Sequence, residues 1–292
     1  KPRQVALRER IPELRWLDLR HMEQAEGQAE IKRIEDREVS AGFDLQKQPL
    51  LRFCCVALKG AWKLIWTMHH IIVDGWCMSL LQKDLLRYYE LLKGGMDKDS
   101  LFALIDRERV ESSDYARYVK WLEKQERSAA LSYWGRELEG YNDCISVRPY
   151  EKPEPTELQM KLHRRSLPVQ LWQGLKSLSR QQRITMGTIL HTVWGLLLGS
   201  YSNGRDVVFG KVVSGRNARI PGIDSMIGLF ANTVPVRVRT GPEQSLLELL
   251  KEQQRKAVEA EGYSYCSLAE IQQHVGSEAL IATLFAFENY SI

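Results

Sequence analysis

The residues best suited to chemistry are His69 and His70, followed by Ile71-Ile72-Val73 and then Asp74-Gly75. An imidazole titrates near neutrality, so it can take a proton from an attacking amine or hydroxyl, or hold that group in position. The aspartate four residues after His70 is spaced to fold back and fix the loop through hydrogen bonds to backbone or side chain. The glycine permits an unusual backbone angle or a close approach. Beyond it, Met78, Leu81, Leu85, Tyr88 and Leu92 recur at helical spacing. A helix starting here offers unpaired N–H groups and the positive end of its dipole, both suited to an oxyanion. Histidine beside an oxyanion site is the equipment of acyl transfer. The plainer alternative is a packed histidine and an aspartate that only caps the helix, since Asp-Gly is common at helix starts.

The elements that must hold this loop are legible around it. Leu51 to Leu58 and Trp62 to Met68 are β-rich runs joined across Lys59-Gly60-Ala61, which predicts a hairpin. The order is strand, short polar turn, helix, with Gly94-Gly95 as the stop. A second long helix is predicted from near Asp114, with Ser112, Ser113 and Asp114 as caps. It carries Tyr115, Tyr118, Trp121 and Leu122 and continues through Leu131, Tyr133, Trp134 and Leu138 to Gly140. Three prolines between Pro149 and Glu157 predict an extended connector. The expected division is a first lobe over 1–150 carrying the histidines, a linker over 151–157, and a second lobe over 158–292. In the second lobe, helices are expected over Pro168 to Ser179, Thr185 to Ser200 and Ser245 to Glu261. Strands are expected over Asp206 to Val213, Thr233 to Val238 and Leu280 to Phe287. Strands alternating with helices in each half imply an α/β fold, an α+β type built as two sandwiches side by side.

Other features narrow the function. The chain has 292 residues, 44% hydrophobic, ample for a buried core. Its net charge of +4 is spread along the chain, so neither a nucleic-acid nor a membrane footprint is expected. The most apolar stretch, Met186 to Gly199, is too short to span a bilayer and reads as a buried helix. Lys1-Pro2-Arg3-Gln4 leads straight into mixed sequence, with no signal-peptide pattern. Five irregularly spaced cysteines make a disulfide framework improbable and favour a reducing compartment. Cys54 and Cys55 are strand neighbours on opposite faces, unable to chelate one metal, and no metal site is expected. Ser214 reads as a turn residue rather than a nucleophile, because Val212 stands where a Gly-x-Ser-x-Gly elbow needs glycine. His21, His163, His191 and His274 lack partners in sequence, and packing or solvent is their default.

His69-His70-x-x-x-Asp74-Gly75-Trp76, preceded by Thr67-Met68, resembles the core motif of condensation domains of nonribosomal peptide synthetases. Further segments agree in the family's order: Ser113 to Trp121, and Tyr133-Trp134 with Leu138-Glu139-Gly140. After them come Val213-Ser214-Gly215-Arg216, Ile227 to Arg237, and Phe287-Glu288-Asn289-Tyr290. The resemblance implies two chloramphenicol-acetyltransferase-like lobes in a V shape, with the histidine motif in a tunnel at their junction. It implies amide formation between a donor peptidyl or aminoacyl thioester and an acceptor aminoacyl thioester. Both would ride on 4'-phosphopantetheine of carrier proteins, one upstream and one downstream, beside an adenylation domain, with no cofactor held by the domain itself. His70 would be catalytic and His69 structural. Asp74 would maintain the loop through an arginine, of which Arg216 is a candidate. Gly75 would lie by the donor arm, and Trp76 and Asn232 would line the tunnel. The family's early arginine-bearing segments have no counterpart before Leu51, and its closing part after Tyr290 is missing, so the chain reads as cut at both ends. The implied setting is the bacterial cytoplasm. An epimerisation domain shares the fold and both histidines, but usually continues with Gly-Val-Ser-Trp-like sequence where this chain has Gly75-Trp76-Cys77. The flanking segments argue against a coenzyme A acyltransferase. Intact His70 and Asp74 argue against a catalytically silent carrier-docking fragment, while the missing ends argue for one.

Overall fold

The structure, a computed structural model, describes residues 12–47, 49–111, 115–145, 147 and 162–288. It is a mixed α/β protein that divides into two compact units. The first holds Lys1–Glu111 together with Met226–Leu229, and the second holds Ser112–Ser225 and Phe230–Ile292.

In the first unit, β1 (Glu13–Asp18) runs parallel to β2 (Leu51–Leu58), and the helix α1 (Gln24–Ser40) makes the crossover that parallel pairing requires. β2 then pairs antiparallel with β3 (Ala61–Met68) across the Lys59-Gly60 turn, where Gly60 takes φ +75°. Sequence reading found the hairpin but neither β1 nor α1. The apolar stripe of α1 is thin, with Gly27, Ile31, Ile34 and the carboxylate Glu38 as its buried positions. That stripe packs on Leu19, Cys54, Val56 and Ile65, one face of the sheet. Buried Glu38 is held there by Arg15 and, at 3.2 Å, by Arg52. Cys54 is buried on this face and Cys55 points to the other, as strand alternation requires. After the turn come α2 (Gly75–Lys93) and α3 (Lys98–Glu111), joined by an Arg87–Glu108 ion pair and a 2.8 Å bond from the Tyr88 hydroxyl to Glu108. The apolar spacing on α2 predicted a buried face, yet among its residues only Cys77 is fully buried.

The second unit begins with α4 (Tyr115–Glu123) and α5 (Arg127–Glu137), two helices where one broken helix was expected; the expected caps Ser112, Ser113 and Asp114 lie outside the described residues. It continues with α6 (Val169–Gln182), α7 (Met186–Ser202), β4 (Asp206–Val213), β5 (Asn232–Arg239), α8 (Leu246–Glu261), α9 (Leu268–Val275) and β6 (Leu284–Phe285). Its sheet has the order β5-β4-β6, with β4 antiparallel to β5 and parallel to β6. The apolar run from Leu280 thus yields a strand of two residues. One packed cluster brings Leu198 of α7 and Leu249 of α8 onto Val207, Phe209 and Val238. Another brings Tyr133, Trp134 and Ile271 onto Val208 and Val234. Gly195 is required in α7 because a Cβ there would overlap Val238. Arg237, 4% exposed, bonds Asp206 at 2.6 and 2.8 Å and the carbonyls of Glu137 and Glu139, pinning the end of α5 to the sheet.

This packing explains where the division falls. The expected linker, 151–157, lies outside the described residues, and the units part between Glu111 and Ser112. Aromatic residues on α5 are buried against α9 and the second sheet, so these helices join the second unit rather than the histidine lobe. Proline content marked an extended stretch, whereas burial decided membership.

Candidate functional site

The histidine turn is held at both ends. The His69 N–H donates to the Leu50 carbonyl at 3.0 Å, extending the edge of the β2–β3 hairpin by one step. Its Nδ1 accepts the Ile71 N–H at 3.1 Å, which leaves Nε2 to carry the ring proton of the neutral form. The Phe43 ring stands edge-on to this imidazole at 6.1 Å, and the Arg52 guanidinium lies 4.1 Å from the Phe43 ring centre. The Ile72 N–H closes the turn onto the His69 carbonyl at 3.2 Å. His69 is therefore half-buried and engaged, while His70 is exposed on the turn it bounds.

The far end is fixed by Asp74, which is 4% exposed and caps α2. Its Oδ1 accepts the Cys77 N–H at 3.2 Å, and its own carbonyl accepts the same N–H at 3.1 Å. Gly75 opens the helix and is absent from the positive-φ residues, so an unusual angle is not what it supplies. Trp76 follows, half-buried. The first N–H groups of a 19-residue helix thus begin directly after the turn that presents His70.

Sequence reading missed what anchors this helix start. The Cys77 thiol is fully buried, donates to the Gly228 carbonyl at 3.2 Å and accepts the Gly228 N–H at 3.3 Å. Burial pushes the thiol's pKa up, so it bonds as a neutral group. Residues Met226–Leu229 consequently cluster with the first unit although they follow a long stretch of the second. The available signal was a cysteine on the inner side of the helix start, with no sequence pattern to name its partner.

The remaining expected residues belong to the second unit. Arg216 is buried there, donating to the Ile223 carbonyl at 2.6 Å, with its guanidinium 4.0 Å from the Phe230 ring centre. Asn232 opens β5 and is bonded through its whole amide. Its Nδ2 donates to the carbonyls of Ser264 and Cys266, both at 2.8 Å, and its Oδ1 accepts the Thr233 N–H at 2.8 Å. That geometry is a clamp between β5 and the approach to α9. The Ser214 hydroxyl accepts the Arg216 N–H at 3.4 Å, the turn role expected of it. Gly215 between them has φ +67° and sits so close to the Phe230 carbonyl that any Cβ would collide.

No group of three or more His, Cys, Asp or Glu side chains able to hold a metal occurs among the described residues. Nor is any helix among them long and apolar enough to cross a membrane.

The family model described as "Condensation domain" matches residues 1–292. The chain is 33% identical over 294 residues to bacitracin synthase 3 of Bacillus licheniformis, covering 100% of this chain and 4% of that protein. It is 35% identical over 294 residues to tyrocidine synthase 2 of Brevibacillus parabrevis, covering 100% of this chain and 8% of that one. The chain therefore spans less than a tenth of these relatives. A solved structure of the first condensation domain of the calcium-dependent antibiotic synthetase, in complex with a substrate analogue, superposes with a TM-score of 0.64 at 19% identity, covering 94% of this chain and 61% of that one.

Proposed function

The chain belongs to the condensation-domain family, and on that premise we propose that it forms an amide bond between two thioester-bound acyl groups. The donor and acceptor ride on phosphopantetheine arms of an upstream and a downstream carrier protein, next to an adenylation domain. The observation that supports the reading most is the presentation of His70. It is exposed on a turn fixed by His69 at one end and by the Asp74 cap at the other, directly before the α2 N-terminus.

In this reading the acceptor's amine nitrogen attacks the donor's carbonyl carbon, and the carbonyl electron pair moves onto oxygen. The oxyanion faces N–H groups at the start of α2, around Gly75 and Trp76, where the helix dipole favours negative charge. Collapse of the adduct breaks the carbon–sulfur bond. The departing thiolate takes the proton released by nitrogen, which His70 accepts and passes on. An amine is already a good nucleophile when neutral and aimed, so orienting it is as large a part of the work as removing its proton. His69 and Asp74 act as positioning residues that hold the turn. Trp76 lines the approach. Asn232, whose amide is taken up by structural bonds, supports the start of β5.

The test is a peptide-formation assay with donor and acceptor carriers loaded, on the full-length protein. His70→Ala is expected to lower the rate by about 10²–10⁴-fold. Amide formation at the parental rate by the alanine variant refutes the assignment.

A further inference from the structure

The second unit contains a cavity of about 710 Å³ at the C-terminal end of β4, bounded by β5, α5, α6, α7 and α8. Trp172, Met186, Val213 and Phe287 give it apolar walls. Two polar groups on the lining are out of keeping with those walls. His191 is 6% exposed, and its Nε2 has no hydrogen-bond partner among the described residues. Lys211 also faces the cavity, and among the described residues it makes neither a hydrogen bond nor an ion pair. The other inner cations are matched, Lys256 by Glu137 at 2.7 Å and Arg237 by Asp206 at 2.6 Å. Lys176 and Arg180, a turn apart on α6, add exposed positive charge to the lining.

An ammonium and an imidazole lacking partners in a secluded site are both unfavourable, and one ligand group can relieve both. Burial lowers the Lys211 pKa, opposed by the Glu261 carboxylate, and an anion bound beside the ammonium would restore its charged form. Burial, assisted by the Lys211 charge, depresses the His191 pKa to about 4, so the imidazole is neutral and its Nε2–H can donate. A carboxylate has two oxygens, one for each donor. Phosphate would bring a second negative charge to a single half-buried cation, and the apolar walls would leave its remaining oxygens unbonded.

We propose that this cavity binds a small amphipathic carboxylate, with its anionic head on Lys211 and His191 and its apolar body along Trp172, Met186, Val213 and Phe287. The volume is in the usual range for small-molecule sites. Such a ligand is not a condensation substrate, because in those substrates the carboxyl group is tied up as the thioester. The site therefore adds a free-acid ligand to a domain that otherwise handles carrier-bound acyl groups. Lys176 and Arg180 draw the anion toward the cavity.

Equilibrium dialysis of carbon-14 octanoate against the full-length protein tests this, with 1-octanol as the neutral competitor. Saturable binding is expected, and octanol should compete at least about tenfold more weakly than unlabelled octanoate. Lys211→Met, which removes a half-buried charge and breaks no ion pair among the described residues, should weaken binding about tenfold or more. Ala257→Trp fills the cavity without touching Lys211 and should abolish binding. The proposal is overturned if the parent shows no saturable binding, if Lys211→Met binds octanoate as the parent does, or if octanol competes equally.

Discussion

Among the described residues, the two sheets have three strands each and opposite fates. In the second unit, packed clusters draw on α5, α7, α8 and α9, with Trp134, Phe209 and Ile271 at 0% exposure. In the first, α1 covers a single face. The other face carries Leu14, Trp16, Trp62 and Leu64, the two tryptophans 63% and 67% exposed and in edge contact at 6.0 Å. Equal strand number thus produces unequal burial, although the strands of the first sheet are the richer in apolar residues. Buried apolar packing is concentrated in the second unit, while the histidine turn projects from the edge of the lightly covered sheet.

The largest expected effect breaks the better-packed sheet. Trp134→Ala deletes a fully buried indole whose Nε1 donates to the Tyr263 carbonyl at 3.2 Å. It should cost about 3–5 kcal/mol in urea unfolding, and a loss below about 1 kcal/mol would remove the contrast between the sheets.

The next effect is one of pH. His191 has its pKa lowered by burial from 6.5 to about 4. As pH falls from 6.5, the unfolded chain takes up the proton first, so stability present above that pH is lost progressively toward pH 4. The loss approaches ~3 kcal/mol at the lower limit. His191→Leu should flatten the dependence of the urea midpoint on pH between 4 and 6.5, and an unchanged slope would show that this histidine is not buried in the neutral form.

A smaller effect belongs to the turn. Asp74→Ala removes the cap on α2 and should cost ~1 kcal/mol, whereas Asp74→Asn, an equally good cap, should retain that stability. Equal losses from both variants would mean that the carboxylate's charge, rather than its capping bond, holds the turn. The smallest effect is on the open face of the first sheet. Trp16→Ala should change stability by about 0.5 kcal/mol or less, measured in the same unfolding assay, and a loss like that of Trp134→Ala would mean that the face is covered in solution.

Much of the site was legible because its signals are local. The hairpin, the Asp74 cap and the start of α2 are encoded within a few residues of one another, by β-rich runs, a turn glycine and a helical period. The same holds for α7 after Thr185 and α8 after Ser245, where the capping side chains stand next to the apolar pattern they begin. Elements without a strong period went unseen. β1 shows a weak alternation, and about half the residues of α1 and α3 are charged, so burial rather than propensity places them. The cavity was invisible for another reason. His191 reads as one more apolar-helix histidine until β4 sets Lys211 along the same wall.

By itself the sequence determined the chemistry-bearing turn, the family resemblance it carries, and the strand–turn–helix order that presents His70. Those depend on contacts between near neighbours, where residue type and spacing specify geometry directly. Tertiary structure alone decided that Cys77 bonds Gly228, that 226–229 clusters with the first unit, that α4 and α5 belong with the second, and that the Asn232 amide is taken up in bonds. Each of these is set by which distant surfaces bury one another, and hydrophobic burial is non-directional, so no local pattern records its partner.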